Sequence, residues 1–321
     1  MSNLKRPPLK RSMKLVTITV VFLLLFSLAG CSSSKQGVNS SSDSAPRLTD
    51  QAMEGYYVDA RWLQENLDQV TIVDARADKE YKKGHIPGAV NISWQALSNM
   101  QPKQGEPGWG VVLSNEQLSK KLGEFGINGK KDIVVYNDPA GLGEDGRVVW
   151  MLRVAGLQNS RMLFGGWPAW QKAGGEETKS IPQIKAVSFS ITNPDTSLLA
   201  TTEYIKANKD KVKLLDTRSP KEFTGKTDHG ERVRGHIPGA IHLHYSDALN
   251  ADGTVKTVDE LKDMFAQAGL KPGDEVIAYC AVGIRSGFMT VLLRMCGYEN
   301  AKNYNASFSE WAGDPNNTIE K

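Results

Sequence analysis

Val276-Ile277-Ala278-Tyr279-Cys280-Ala281-Val282-Gly283-Ile284-Arg285-Ser286 is a short apolar run that ends at a thiol. A tight loop follows, and an apolar periodic segment then runs from Phe288 to Cys296. The pattern reads as strand, loop, helix. Cys280 would then stand at the carboxyl end of a strand and ahead of a helix N-terminus. Backbone N–H groups in such a place point toward the sulfur, and the helix dipole favours an anion. Both effects lower a thiol pKa and produce a nucleophilic thiolate. The alternative is an inert buried cysteine, and the surrounding pattern argues against it.

Working outward, the chain repeats itself. Ile72-Val73-Asp74-Ala75-Arg76 returns as Leu214-Leu215-Asp216-Thr217-Arg218, and Lys79-Glu80-Tyr81 as Lys221-Glu222-Phe223. Gly84-His85-Ile86-Pro87-Gly88-Ala89 returns unchanged as Gly235 to Ala240. Ile133 to Tyr136 matches Val276 to Tyr279, and Met151 to Gly156 matches Leu292 to Gly297. Two copies of one α/β unit follow, at 49–178 and 197–321, joined by a linker at 179–196 that overlaps a stretch of little periodicity (Gln183–Leu199). In each copy short β-branched runs (Thr71–Val73, Asp132–Tyr136) alternate with helical patterns (Asn115–Glu124, Val148–Val154). Such alternation implies a mostly parallel sheet flanked by helices, with ligands beyond the carboxyl ends of the strands.

The N-terminus has another character. Lys5, Arg6, Lys10, Arg11 and Lys14 precede an apolar stretch, Leu15 to Leu28, that is short for a membrane span. It ends in Leu28-Ala29-Gly30-Cys31, which resembles a bacterial lipoprotein signal. The resemblance implies a signal peptide at 1–30, cleavage before Cys31 and acylation of that residue, palmitate-type chains holding the protein on a membrane. The protein would face the periplasm or the exterior. Residues 31–48, rich in serine, read as a tether.

Composition fits a water-borne body on that tether. Without residues 1–30 the chain has 34 basic and 36 acidic residues and 291 positions. That balance gives no basic footprint for nucleic acid, and the length allows two domains with real cores. Beyond Cys31 there are only Cys280 and Cys296, with no CxxC and no Cys/His spacing suited to a metal. Neither a metal nor a cofactor is expected. Cys296 precedes a helix-stopping Gly297 and reads as core; a helix of roughly four turns would hold it too far from Cys280 for a disulfide.

Taken together, the paired Asp-x-Arg, Glu-Phe/Tyr and Gly-His-Ile-Pro-Gly-Ala elements and the strand-end Cys280 loop resemble a tandem-domain rhodanese, a thiosulfate sulfurtransferase. The likeness covers nearly all of 49–317. Phe164-Gly165-Gly166-Trp167 and Tyr304 to Trp311 are similar to the family's closing segment. Asn137 aligns with Cys280 and cannot become a sulfur nucleophile, so the first copy is expected to be inactive and to cover one side of the cleft. Related phosphatases use Cys-x5-Arg; here Arg285 gives Cys-x4-Arg, a smaller loop suited to one added sulfur atom.

The resemblance implies a persulfide on Cys280, stabilised by backbone amides of Ala281, Val282, Gly283, Ile284 and Arg285. Arg285 is expected to meet the donor's oxyanions. An insert found only in the second copy, Gly225 to Arg234, supplies Arg232 and Arg234 as further candidates for substrate binding. Asp216 and Arg218 end the first strand and are expected to support the loop as an ion pair, since Asp74 and Arg76 duplicate them. His236 and His85 are read as turn-fixing residues. The expected partners are a small sulfur donor and a thiophilic acceptor, and the two pseudo-symmetric halves suggest a monomer. Three activities stay open: a thiosulfate sulfurtransferase, a 3-mercaptopyruvate sulfurtransferase, and a lipoprotein that carries or senses sulfane sulfur without catalysis.

Overall fold

Ile133-Val134-Val135-Tyr136 and Val276-Ile277-Ala278-Tyr279 are apolar at every position. A run of that kind needs cover on both faces, which a parallel sheet between helices provides. All eight residues are buried.

The computed structural model describes residues 44–321; the signal-like segment, Cys31 and most of the tether lie outside the described residues. The first copy contains β1 (Tyr57–Val58), α1 (Ala60–Glu65), β2 (Thr71–Asp74), α2 (Asp78–Tyr81), β3 (Val90–Asn91), α3 (Asn115–Glu124), β4 (Ile133–Tyr136), α4 (Glu144–Val154), β5 (Ser160–Leu163) and α5 (Gly166–Lys172). The second copy repeats the series as β6 (Leu199–Ala200), α6 (Thr202–Asn208), β7 (Lys213–Asp216), α7 (Pro220–Phe223), β8 (Ile241–His242), α8 (Val258–Gln267), β9 (Val276–Tyr279), α9 (Ile284–Met295), β10 (Lys302–Tyr304) and α10 (Ser307–Gly313). Both sheets have five strands in the same order, β1-β5-β4-β2-β3 and β6-β10-β9-β7-β8, with every pairing parallel. The expected α/β class, two parallel sheets flanked by helices, is what the chain adopts.

Two details differ from the sequence reading. The helix after the Cys280 loop starts at Ile284, not Phe288, because Gly283 takes φ +86° and caps it there. The joining stretch is also less free than its lack of periodicity implies. Val187 N–H donates to Gly123 O (2.9 Å), Ile191 N–H to Ser119 Oγ (3.0 Å) and Asp195 N–H to Val154 O (2.9 Å), so the linker is fastened along the first copy. Among the described residues no helix is long and apolar enough to cross a membrane.

The copies meet where α4 packs on α9. Glycine permits the approach. A Cβ on Gly146 would stand 2.6 Å from the Phe288 ring and 2.7 Å from its Cα, and one on Gly287 would stand 3.1 Å from Arg147 Cδ. The start of α9, and with it the Cys280 loop, is thereby pressed against the first copy. Gly146→Val is expected to destabilise the fold by about 1–3 kcal/mol through overpacking, read as a lower urea midpoint, a loss larger than the few tenths of a kcal/mol that valine gains over glycine in helix propensity. An unchanged midpoint would show that the helices are not in contact.

Candidate active site

Cys280 follows β9 directly and is 1% exposed. The loop turns back at Gly283, whose N–H donates to Cys280 Sγ at 3.1 Å. No other residue fits at Gly283: besides its positive φ, a Cβ would lie 2.4 Å from Asn305 O. The base of the loop is pinned by the last strand–helix turn. Cys280 N–H donates to Ser307 Oγ (3.2 Å), Phe308 N–H to Cys280 O (3.0 Å) and Ser309 N–H to Ala281 O (3.1 Å). Among the described residues Ser307 is the non-glycine residue with positive φ, +58°, and its hydroxyl also donates to Tyr304 O (2.8 Å). A strained, buried residue whose side chain braces the nucleophile's backbone is strain put to use.

The electrostatics favour a thiolate. Burial opposes ionisation of Cys280, but the Arg285 guanidinium and the amides of Ser286 and Val282 outweigh it, and the thiol pKa falls below its ordinary value. The Ser286 side chain also favours the thiolate, and its hydroxyl is oriented by donating to Asn303 Oδ1 at 2.7 Å. Arg285 is itself held in a bidentate pair with Glu222 (2.8 and 2.8 Å), and both residues are buried. Burial would raise the Glu222 carboxyl, yet Arg285 and then Ser219 bring it down to about 2. His229 Nε2 completes the cluster, 3.2 Å from Glu222 Oε1.

Above the sulfur lies a cavity of about 190 Å³. The second copy contributes Cys280, Ala281, Val282, Ile284, Arg285 and His229, and the first copy contributes Gln104, Trp109 and Leu142. Gln104 Nε2 also donates to His229 O at 2.8 Å, tying the insert to the opposite wall. The first copy therefore does form one side of the cleft.

The sequence-derived candidates separate into two groups. Ala281, Val282, Ile284 and Arg285 line the cavity with Cys280, and Gly283 holds the sulfur. Arg232 Nε donates to Ala312 O (2.9 Å) and Arg234 pairs with Asp228 (2.5 Å); neither lines the cavity. The insert's contribution is His229. Asp216 and Arg218 form a buried pair (2.6 Å) away from the cavity wall, and Arg218 also donates to Gly235 O (2.7 Å). Its guanidinium lies 4.0 Å from the Phe308 ring, so the pair supports the residue that anchors Cys280 O. Asp74, Arg76 and Trp167 repeat the arrangement in the first copy (2.6 and 4.3 Å). His236 and His85 each bond the carbonyl four or thirteen residues before them and stack on Phe223 and Tyr81.

At the matching place in the first copy, Asn137 Nδ2 donates to Glu144 Oε2 (2.6 Å), and Leu142 N–H to the same oxygen (2.8 Å). A carboxylate thus occupies the turn, and the space beside it is about 30 Å³, against about 190 Å³ at Cys280. Cys296 is buried and free, and burial pushes its thiol up to about 12. Among the described residues no group of His, Cys, Asp and Glu is placed to hold a metal ion.

Glu222 yields a pH prediction. Its folded pKa lies below the usual carboxylate value, so its stabilisation is complete above about pH 4–5 and is lost as pH falls toward about 2. Glu222→Gln strands the buried Arg285 and is expected to cost roughly 3 kcal/mol at pH 7, the common penalty for breaking a buried pair. The variant should lose stability less steeply than the natural chain between pH 4.5 and 2.5 in urea titrations. Identical slopes would remove Glu222 as a titrating anchor.

These features agree with what the chain is similar to. The Rhodanese-like domain family matches residues 59–173 and again 201–314. A Haloferax volcanii protein named "Putative thiosulfate sulfurtransferase" is 30% identical over 280 residues, covering 82% of this chain and 96% of that protein. The Thermus thermophilus "Sulfur carrier protein TtuD" is 28% identical over 270 residues, covering 79% and 92%. Among solved structures, the Chlorobium limicola anaerobic ergothioneine biosynthesis enzyme superposes with a TM-score of 0.75 at 23% identity, covering 83% of this chain and 70% of that one, a likeness of fold. With the family's domain matched twice, across both sheets and both loops, the chain belongs to the rhodanese-like family.

Proposed function

We propose that this protein moves sulfane sulfur from thiosulfate to a thiophilic acceptor through a persulfide on Cys280. The observation that carries this reading is the Gly283 N–H aimed at Sγ from 3.1 Å, with Arg285 favouring the same anion and a cavity opening on it. The thiolate attacks the outer sulfur of thiosulfate. A new S–S bond forms, the donor's S–S bond breaks, and its electron pair leaves with sulfite. The negative terminal sulfur of the persulfide then lies within reach of the loop amides. A nucleophile such as cyanide takes that sulfur as thiocyanate, and the Cys280 thiolate returns. Two half-reactions through one covalent intermediate are ping-pong catalysis. The Haloferax volcanii relative's name supports the choice of donor.

One observation favours a second reading. Arg285 is neutralised by Glu222, and Trp109, Leu142, Val282 and Ile284 wall the cavity. An apolar cavity with its guanidinium already paired suits an organic persulfide or thiol better than a dianion. The protein would then act as a sulfur carrier, as the Thermus thermophilus relative is named.

The reading also places the body on a membrane through acylated Cys31, supported by the Leu28-Ala29-Gly30-Cys31 pattern. In cells fed labelled palmitate, label should follow the natural chain into membranes, while Cys31→Ala should stay unlabelled. Label retained by Cys31→Ala would end the anchoring proposal.

With thiosulfate and cyanide, the purified chain is expected to release sulfite and thiocyanate, and Cys280→Ser to lose that turnover at least about 10³-fold. After thiosulfate alone, the Cys280 peptide should gain the mass of one sulfur atom. Sulfur loading from an organic persulfide but not from thiosulfate would favour the carrier. Pyruvate release from 3-mercaptopyruvate would move the assignment to that donor, and no added sulfur from any of them would overturn the proposal.

A further inference from the structure

Arg147 belongs to α4 of the first copy, yet its side chain ends behind the Cys280 loop. It is fully buried, with 0% exposure. Nη1 donates to Gly283 O at 3.2 Å and Nη2 to Gly110 O at 2.9 Å. Nε has no partner. The guanidinium packs 4.6 Å from the Trp150 ring, and its Nη1 lies 2.8 Å from where a Cβ on Gly283 would stand. Among the described residues no carboxylate forms an ion pair with it. Glu144, on the same helix, is taken up by Asn137 and Leu142 N–H, and Asp145 accepts from Gly146 N–H.

A cation taken wholly out of water costs several kcal/mol unless an anion answers it. Two carbonyl dipoles answer in part. Burial pushes the Arg147 guanidinium down to about 9, and the ionisable group that works against that shift is the sulfur of Cys280. Arg285 differs, since Glu222 already answers its charge.

We infer that Arg147 is a positioning residue for the sulfur chemistry, a cation lent by the non-catalytic copy that fixes Gly283 from behind and whose charge is answered in part by the ionised sulfur of Cys280. The inference rests on the thiolate reading above. It gives the first copy a role beyond walling the cavity: it supplies part of the field that keeps the sulfur ionised. By linkage, an anion at Cys280 must strengthen the packing of α4 on α9 as much as Arg147 favours that anion.

The test is the pH profile of Cys280 alkylation by iodoacetamide in the full chain. Arg147→Met removes the charge and keeps an unbranched side chain of similar length. The alkylation midpoint is expected to rise by about one pH unit, slowing the reaction roughly 10-fold below it, and Arg147→Lys should restore most of the loss. Arg285 and His229 line the cavity at the same sulfur, Glu222 pairs with both, and all three remain in every variant, so they contribute alike on both sides of the comparison. A loss of packing alone would lower Tm without moving the midpoint. An ordinary midpoint in the natural chain would instead sink the thiolate reading itself.

A second measurement needs no variant. Natural chain alkylated with iodoacetate carries an anionic Cys280 adduct, and chain alkylated with iodoacetamide carries a neutral one of similar size. The anionic adduct should melt at the higher temperature, and the gap should shrink in Arg147→Met. A normal midpoint shift of zero in Arg147→Met, or equal Tm values for the two adducts, overturns the inference.

Discussion

Taking a thiolate out of water costs several kcal/mol unless fixed dipoles and cations replace its hydration. At Cys280 the replacement is assembled from separate parts of the chain. The Gly283 amide comes from the loop itself, Arg285 from the first turn of α9, and Arg147 from the other copy. None of these groups can relax away. Gly283 is caught between Asn305 and Arg147, Arg285 is clamped by Glu222, and the loop base is tied to Ser307 and Phe308. Preorganisation of this kind lets the site meet a new negative sulfur without moving.

The same scaffold without that requirement stands beside it. Both sheets have one strand order, and both turns are held by a backbone bond from the closing helix, Trp167 N–H to Asn137 O at 2.9 Å and Phe308 N–H to Cys280 O at 3.0 Å. The charges are reversed. Asp145 is the second residue of α4 as Arg285 is of α9, and Glu144 fills the turn with its own carboxylate. Burial pushes Asp145 up to about 7. Gly166 stands where the second copy has Ser307, with nearly the same φ, +59° against +58°. Glycine takes that conformation freely; serine takes it at a cost that its bond to the Cys280 amide offsets. The first copy has kept the fold and dropped the brace.

Local signals explain what could be read in the sequence. Strand β9, the turn at Gly283, the helix after it and the duplication all rest on apolar runs and glycine positions within a few residues of each other. Arg285 and the loop amides follow from that local geometry. Glu222 was visible only as part of the duplicated Lys221-Glu222-Phe223 element, because its pairing with Arg285 spans 63 positions. Gln104 and Trp109 sit in a Pro/Gly-rich stretch with no period, and nothing local tells which of its side chains reach a distant loop. Arg232 and Arg234 drew attention by charge, yet their partners are Ala312 O and Asp228, while the neighbouring His229 turns inward. Arg147 gave no signal at all, since a lone arginine in an apolar helical segment reads as a residue whose head reaches water.

That last point bears on how a tandem protein of this kind comes to depend on both halves. A catalytic copy that carried its own full set of counter-charges could work alone, and its partner would serve only to close the cleft. Here the charge nearest the back of the loop arises 136 positions upstream of the carbonyl it holds. It arrives through a helix contact that only glycines permit. Separating α4 from α9 would therefore do more than open the cavity. It would hydrate Arg147 and remove a cation from behind the loop that holds the sulfur, so the nucleophile's ionisation and the integrity of the domain contact are one equilibrium seen from two ends.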